Sequence, residues 1–457
     1  MADFPGYTIR VRRYNEDYDV TNYTQGFSST ADFTFNRPAR FRTTMTLTNS
    51  TGEFTPSEGG GTGTFKDVLW FESYLEITVY ATSTTIFEGL ISDFDIVDNG
   101  VESTVTIKAV DWMTATRSDV FTVAEGSSVY YQTPASHLYS FFNGTSGFGS
   151  GAETPDLGYS SATYLFDQAD DITLEMGRPA ASNVTVMDAV TGMFIAPLPC
   201  VVLPNEIVQA TSTNIQFRAD VLGRSITYAD TAEYVFTENP TGDELPFQTV
   251  TPNFDRNMIT SNTSYESGIS GVGTATASNG ATKQKYGQRN RRFTGTGHLV
   301  AGNDTADEYG MLKSASFWTN RQAEARYVPR RLKTSIGTVK AYNDSTAAFD
   351  QLEQLMSAKY GMWHPVQVTY TPTGGTQTTA ECVISGRTIN ATPKQTTITL
   401  DLLPAVDYQS FRLDSPIIGV LGGTANVTTY DDSGTTYDDA TELYDGSGTD
   451  IQGNRLG

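Results

Sequence analysis

Apolar and polar residues alternate with a period of two from Leu75 to Met113. In LEITVY, Leu75, Ile77 and Val79 share one face, and Glu76, Thr78 and Tyr80 the other. A Thr/Ser turn, IFEGLISDFDIV and the polar turn DNGVES follow. In the last run, TVTIKAVDWM, Val105, Ile107 and Ala109 lie opposite Thr106 and Lys108. Alternating runs separated by turn residues predict a half-buried antiparallel meander. The pattern returns near the other end of the chain. VQVTYT at 366–371 matches LEITVY, VISGRTI at 383–389 matches LISDFDI, and TTITLDLLPA at 396–405 matches TVTIKAVDWM, with spacers of similar length. Two copies of one β unit, with one strand order, are expected.

Other segments are less regular. YTIRVRRY (7–14) reads as a strand with Ile9 and Val11 inward, and RTTMTLTN as another with Met45 and Leu47 on one face. The Gly-rich GEFTPSEGGGTGTF runs into more strand. A phosphate-cradling loop would instead enter a helix and carry Lys-Ser/Thr, so a flexible surface loop is expected. TPASHLYSFFN suggests a short helix with Thr133 as N-cap and Pro134 in its first turn. VTVMDAVTGMF (184–194) suggests a second, with Val186, Val190 and Phe194 at helical spacing and Pro197 and Pro199 closing it. VVLP, NIQFRADV and SITYAD read as strands. From Phe254 to Gly295 the pattern is strand, turn, strand and loop, ending in KQKYGQRNRRF. Asp304 is placed to cap a helix through ADEYGMLKSASF. Asp344 or Ser345 is placed to cap another through TAAFDQLEQLMSAKYG, with Phe349, Leu352 and Met356 on one face and a stop at Gly361. The second β unit begins near Arg331, with LKTSIGTV as its first strand. Beyond Leu421, Tyr430, Tyr437 and Tyr444 stand seven apart in an acidic, Gly- and Thr-rich stretch. It lacks the aliphatic seam of a coiled coil and the ligand order of an EF-hand, so an extended tail is expected.

Composition narrows the function. The chain has 457 residues, room for several domains with cores, and its formal net charge of −22 argues against a protein that grips nucleic acid. Residues 283–340 depart from this, with twelve Lys or Arg against four Asp or Glu, a local +8. That segment suits an acidic partner or nucleic acid, or neutralises the chain's own acidic domains; the overall charge favours the last. Cys200 and Cys382 are too few for a disulfide framework and read as buried small hydrophobes, with their pairing left open. The start MADFPGYTIRVRRY has no apolar signal region, and no run approaches the 18 apolar residues of a membrane helix. A soluble protein made in a cytoplasm is expected.

Little points to chemistry. His137, His298 and His364 share no metal-ligand spacing, and neither a nucleophile elbow nor a Walker loop is present. Two carboxylates suffice for glycoside hydrolysis, and Asp93 with Asp95, or Asp170 with Asp171, would supply them. A chain with 52 acidic residues produces such pairs routinely, so no catalytic residue, cofactor site or metal site is assigned and no enzyme is expected.

These residues taken together resemble the tail-tip (baseplate) hub, or minor tail, proteins of long-tailed bacteriophages. The resemblance runs in order through TLTNSTGEFTP, IFEGLISDFDI with TVTIKAVDWM, VTVMDAVTGMF, KYGQR, a capped helix and GMWHPVQVTY. It ends in VISGRTINATPKQTTITLDLLPAVDYQSFRLDSPIIGVL, so it spans residues 7–421 with gaps. It implies a mainly β fold with α/β insertions. Residues 1–120 would form a first tube-like antiparallel β-barrel, and 326–421 a second. Residues 121–325 read from their own pattern as a mixed α/β insertion able to lend strands to the second barrel, and 422–457 as the acidic tail; the resemblance assigns neither. The implied role is a homotrimeric ring in the virion, made in the host cytoplasm. The ring would continue the tail tube, meet distal tail, tape measure and fibre proteins, and pass DNA without binding it. Some relatives carry a peptidoglycan hydrolase domain further along, and this chain ends at 457 without one. The competing expectation is a receptor-binding or glycan-cleaving adhesin using Tyr130, Tyr131, Tyr139, Phe141 and Phe142 as a sugar platform.

Overall fold

The computed structural model describes residues 6–13, 16–34, 37–69, 73–79, 82–99, 102–115, 120–123, 130–132, 135–136, 161–168, 174–176, 181–185, 201–211, 214–222, 232–254, 259–271, 273–297, 311–321, 327–357 and 362–405. The first β unit holds β1 (Tyr7–Arg13), β2 (Glu16–Asp19), β3 (Thr24–Thr34), β4 (Arg37–Thr48), β5 (Tyr74–Val79), β6 (Thr85–Asp98), β7 (Ser103–Val110) and the short α1 (Trp112–Ala115). Its alternation is the predicted one: Leu75, Ile77, Val79, Val105, Ile107 and Ala109 are buried.

The Gly-rich segment between β4 and β5 is tied down, not a flexible loop. Asn49 Oδ1 accepts the Phe54 N–H at 2.8 Å, Glu53 accepts that of Thr64 at 2.7 Å, and Asp67 accepts the Ser57 hydroxyl at 2.6 Å. The buried Phe54 ring stacks on Phe65 with centroids 5.4 Å apart. A Cβ on Gly61 would lie 1.8 Å from the Thr55 carbonyl oxygen. The glycines here permit close backbone approach.

The middle region contains β8 (Val120–Val123), β9 (Tyr130–Gln132), β10 (Ser161–Gln168), β11 (Leu174–Met176), β12 (Ala181–Thr185), β13 (Val201–Thr211) and β14 (Asn214–Leu222). β10, β14 and β13 form a small sheet in which β10 runs parallel to β14. The helix expected from residue 184 does not start there: Val184 and Thr185 are strand, with Val184 opposite Phe121. β-branched residues in succession favour extended backbone. Residues 186–194 lie outside the described residues, as do SITYAD, Cys200 and most of TPASHLYSFFN, of which Ala135 and Ser136 are helical.

The remainder holds β15 (Tyr234–Thr237), β16 (Thr249–Phe254), β17 (Asn262–Ser267), β18 (Thr274–Ser278), α2 (Gly280–Tyr286), β19 (Asn290–Gly297) and α3 (Met311–Arg321). It continues through β20 (Tyr327–Ser335), α4 (Ile336–Tyr342), α5 (Thr346–Met356), β21 (Pro365–Tyr370), β22 (Thr378–Thr392) and β23 (Gln395–Pro404). Three local expectations need correction. KQKYGQRNRRF is not a loop but the end of α2, whose cap Asn279 accepts the Thr282 N–H at 3.1 Å, followed by β19. LKTSIGTV is not one strand: Ser335 ends β20 and caps α4 by accepting the Thr338 N–H at 3.1 Å. Ser345, rather than Asp344, caps α5, which ends at Met356 rather than Gly361. Asp304 lies outside the described residues.

One thirteen-stranded sheet gathers both β units. Its order is β16-β20-β23-β22-β3-β4-β7-β6-β5-β1-β2, with β21 paired to β22 and β15 to β21. The fold is mainly β, as expected, but the described pairings form a continuous sheet and contain no closed barrel. β22 is the reason. Its 15 residues pair with β21 and β23, and Gly386–Ala391 also pair antiparallel with Phe27–Asp32 of β3.

The two meanders share more than strand order. Leu90 faces Val110 and Ile91 faces Ala109, then the register slips at Ser92 so that Asp93 faces Lys108. Val383 faces Leu403 and Ile384 faces Leu402, then the register slips at Ser385 so that Gly386 faces Asp401. Both extra residues are serines. Ser92 Oγ donates to the Lys108 carbonyl and Ser385 Oγ to the Asp401 carbonyl, each at 3.1 Å. The Ile91 N–H donates to the Ser73 carbonyl at 2.8 Å, and the Ile384 N–H to the His364 carbonyl at 3.1 Å.

Candidate assembly surface

The feature that stands out is the seam where the two units meet. On the β22 side Ile389 and Ala391 are buried, and on the β3 side Phe27 and Ala31. The Tyr7 ring meets Phe27 edge-on at 5.2 Å, and its hydroxyl lies 2.7 Å from Thr396 Oγ1 of β23. Burial pushes the Tyr7 phenol up from its ordinary range. Arg387 lies at the centre of the seam with 1% exposure. It donates to the carbonyls of Leu355 (3.1 Å) and Ser357 at the end of α5, and to that of Ile86 (3.3 Å) on β6. Oriented carbonyls at a helix C-terminus suit a cation. Burial nonetheless pulls the guanidinium down to about 9. One side chain thus links both units and the capped helix.

A second buried ion belongs to the first unit. Asp111, 1% exposed, accepts from the Phe41 N–H at 2.9 Å, the Thr114 N–H at 2.9 Å and the Thr114 hydroxyl at 3.0 Å. It starts α1 and pins it to β4. Desolvation outweighs these three donors and pushes the carboxyl up to about 6. Neither Arg387 nor Asp111 stands out in the sequence. The paired serines do, on aligning LISDFDI with VISGRTI.

The residues considered for chemistry do not converge. Asp93 and Asp95 share one cation, Lys108 Nζ, at 2.7 and 3.3 Å. The hydrogen bond from Lys108 holds the Asp93 carboxyl below its ordinary range, the reverse of what a general acid needs. His364 Nδ1 contacts Glu233, beside Tyr234. Asp170, Asp171, His137 and His298 lie outside the described residues. Among the described residues no group of His, Cys, Asp or Glu is arranged to hold a metal. One cleft, lined by Tyr23, Gln25, Thr48 and Pro393 among others, contains no carboxylate, histidine or cysteine. Cys382 is a free, buried thiol pushed up to about 12 by desolvation.

Of the basic segment, Arg292 pairs with Glu266 at 3.1 Å, Arg331 with Asp401 at 2.8 Å, and Arg291 lies over the Trp318 ring at 5.1 Å. These cations are used within the chain; Arg289 is exposed. Tyr130 and Tyr131 lie on β9, paired to β11. Tyr139, Phe141, Phe142 and the tail tyrosines Tyr430, Tyr437 and Tyr444 lie outside the described residues. No helix among the described residues is long and apolar enough to cross a membrane.

No protein-family model matches the sequence, and no curated protein does either. Several solved structures follow a similar course over most of the chain. A tail protein from Neisseria meningitidis MC58 is 9% identical with a TM-score of 0.49, over 89% of this chain and 100% of that one. The 43 kDa tail protein of prophage MuSo2 from Shewanella oneidensis is 11% identical with a TM-score of 0.46, over 88% and 100%. A prophage tail protein from Listeria monocytogenes EGD-e is 13% identical with a TM-score of 0.43, over 86% and 94%.

Proposed function

We propose that this chain is the structural hub of a bacteriophage tail tip. Three copies form a ring that continues the tail tube, joins it to distal tail, tape measure and fibre proteins, and lets DNA through. The observation that carries this reading is the seam between two like units inside one chain. Two meanders with the same bulge, the same serine and the same partner carbonyl are joined edge to edge through β22 and β3. A chain that repeats one unit side by side is a segment of a ring, and closed point-group symmetry completes it. A tube with six equivalent docking positions takes two units from each of three chains.

Charge supports the same reading. With a net −22 the ring repels DNA, which then slides through a bore without sticking. The cations of the 283–340 segment that pair with Glu266, Asp401 and Trp318 are turned to the chain's own surface. The protein works as a connector and hydrolyses nothing. Reconstruction of the assembled particle tests the proposal. Three copies in a ring coaxial with the tube are expected; six copies, or a bore lined by Arg289, Arg291 and Arg292, would overturn it.

A further inference from the structure

We infer that the ring closes through two particular strand edges: β6 beyond its bulge in one copy pairs antiparallel with β16 of the next, in the register that β22 and β3 use inside the chain. The inference rests on the ring reading above and names its interface.

The argument starts from correspondence between the units. β20 pairs antiparallel with β23 as β4 pairs with β7, and β16 pairs antiparallel with β20 as β3 pairs with β4. The bulge partners fix the alignment. Lys108 faces Thr44, which faces Ser28; Asp401 faces Arg331, which faces Thr251. Ser28 of β3 and Thr251 of β16 therefore hold the same place. On the other strand, Val97 stands five residues past Ser92, as Asn390 stands five past Ser385. Inside the chain Asn390 faces Ser28. Across copies, Val97 should face Thr251.

Burial marks β6 as the unfinished member of the pair. Past the bulge, Ile389 is 0% and Ala391 1% exposed, because β3 covers them. At the equivalent places Ile96 is only half-buried and Asp98 is exposed, and among the described residues β7 is the one strand pairing with β6 from Asp93 onward. Val97 is 56% exposed, and its counterpart Asn390 is exposed too although it faces Ser28, so the contrast between the units lies at Ile96 and Asp98. β16 likewise ends the sheet order, and it carries Phe254 at 52% exposure, beside Tyr327 of β20 at 51%. These are three of the five exposed large hydrophobics among the described residues, and they lie at the two ends that this pairing would bring together.

Charge and chain chemistry fit a second copy as the occupant. Three carboxylates, Asp93, Asp95 and Asp98, stand on β6 against the single cation Lys108 shared by the first two, and β20, directly behind β16, presents the exposed Lys333 beside Arg331, which Asp401 holds. An exposed strand edge is a template for any strand. Pro252 has no N–H to donate, so it confines pairing on β16 to a short stretch around Val250 and Thr251. A head-to-tail contact of this kind closes into a ring when the rotation allows.

Disulfide trapping in the full chain tests the register. Facing residues of antiparallel strands have Cα atoms about 4.5–5.5 Å apart, within disulfide reach. Under mild oxidation, Val97→Cys with Thr251→Cys should give a covalent ladder ending at three chains. Mixing the two single variants should give a two-chain product. The wild type, and the displaced pair Glu102→Cys with Thr251→Cys, should remain single chains. Native mass spectrometry of the same samples separates the two claims. A three-chain mass without the 97–251 link overturns the edge assignment and leaves the ring. A ladder ending at another number keeps the edges and overturns the trimer. A single-chain mass without any link overturns both.

Discussion

Arg387 holds on β22 the place that Phe94 holds on β6, and the difference shows what each unit does with one position. In the second unit the seam buries it, and the guanidinium donates to three carbonyls drawn from both units. Removing one partner of a buried charged contact costs about 3–5 kcal/mol. Arg387→Ala should therefore lower the unfolding free energy by about that amount in denaturant titrations. Arg387→Lys should recover only part of it, because an ammonium cannot span both the α5 terminus and Ile86. Asp111 predicts a pH trend. Its carboxyl sits at about 6, above its ordinary 3.8, so it binds a proton more tightly folded than unfolded. Its contribution to stability is fully present below about pH 4 and is lost as pH rises through about 6. A shift of this size corresponds to about 3 kcal/mol. Wild type should gain up to that amount of stability relative to Asp111→Asn from pH 7 to pH 4; a difference flat with pH would contradict the assignment.

At the scale of elements, boundaries are set by side chains that reach back to the backbone. Ser335 and Ser345 end extended segments by accepting the N–H of Thr338 and Ala348, each at 3.1 Å. Replacing an N-cap serine by alanine costs about 1 kcal/mol. Ser345→Ala should lower the melting temperature by a few degrees, and Ser345→Asp should restore it. The apolar alternation of LKTSIGTV suits a strand throughout, and only the cap at Ser335 divides it. The bulges are the opposite case. A one-residue slip sends every following side chain to the other face. Past Ser92 and Ser385, then, the inward positions change parity, which strict alternation does not anticipate.

For the whole molecule, the proposed ring makes two expectations, of which the first stands or falls independently of the edge assignment. The first concerns activity: peptidoglycan zymography and a reducing-sugar assay on host envelope should both be blank. Turnover abolished by substituting Asp93 or Asp170 would make the chain an enzyme. The second concerns salt. Exposed charge pairs are screened within a Debye length of about 8 Å at physiological ionic strength. If acidic β6 and basic β20 guide assembly, trimer formation should slow as salt rises, while the finished ring, held by paired strands and covered apolar groups, should persist. Stopped-flow light scattering at two ionic strengths measures the first, and native mass spectrometry the second.

The sequence by itself determined the mainly β class, the inward faces of β1, β5 and β7, and the duplication. Period-two alternation is written into the chain wherever one face of a strand is buried, and LISDFDI with VISGRTI preserves even the bulge serine. Tertiary structure alone decided the rest. The seam between β22 and β3 joins residues more than 350 positions apart, and no local pattern specifies which edge meets which. Arg387 and Asp111 read as surface ions until packing removes water from them. The Gly-rich segment looks flexible until Phe54 and Phe65 stack beneath it. The resemblance implied two barrels; among the described residues the two units share one continuous sheet, because β22 is long enough to serve both. Pattern fixes what each strand buries; the meeting of edges depends on geometry that exists only once both units have folded.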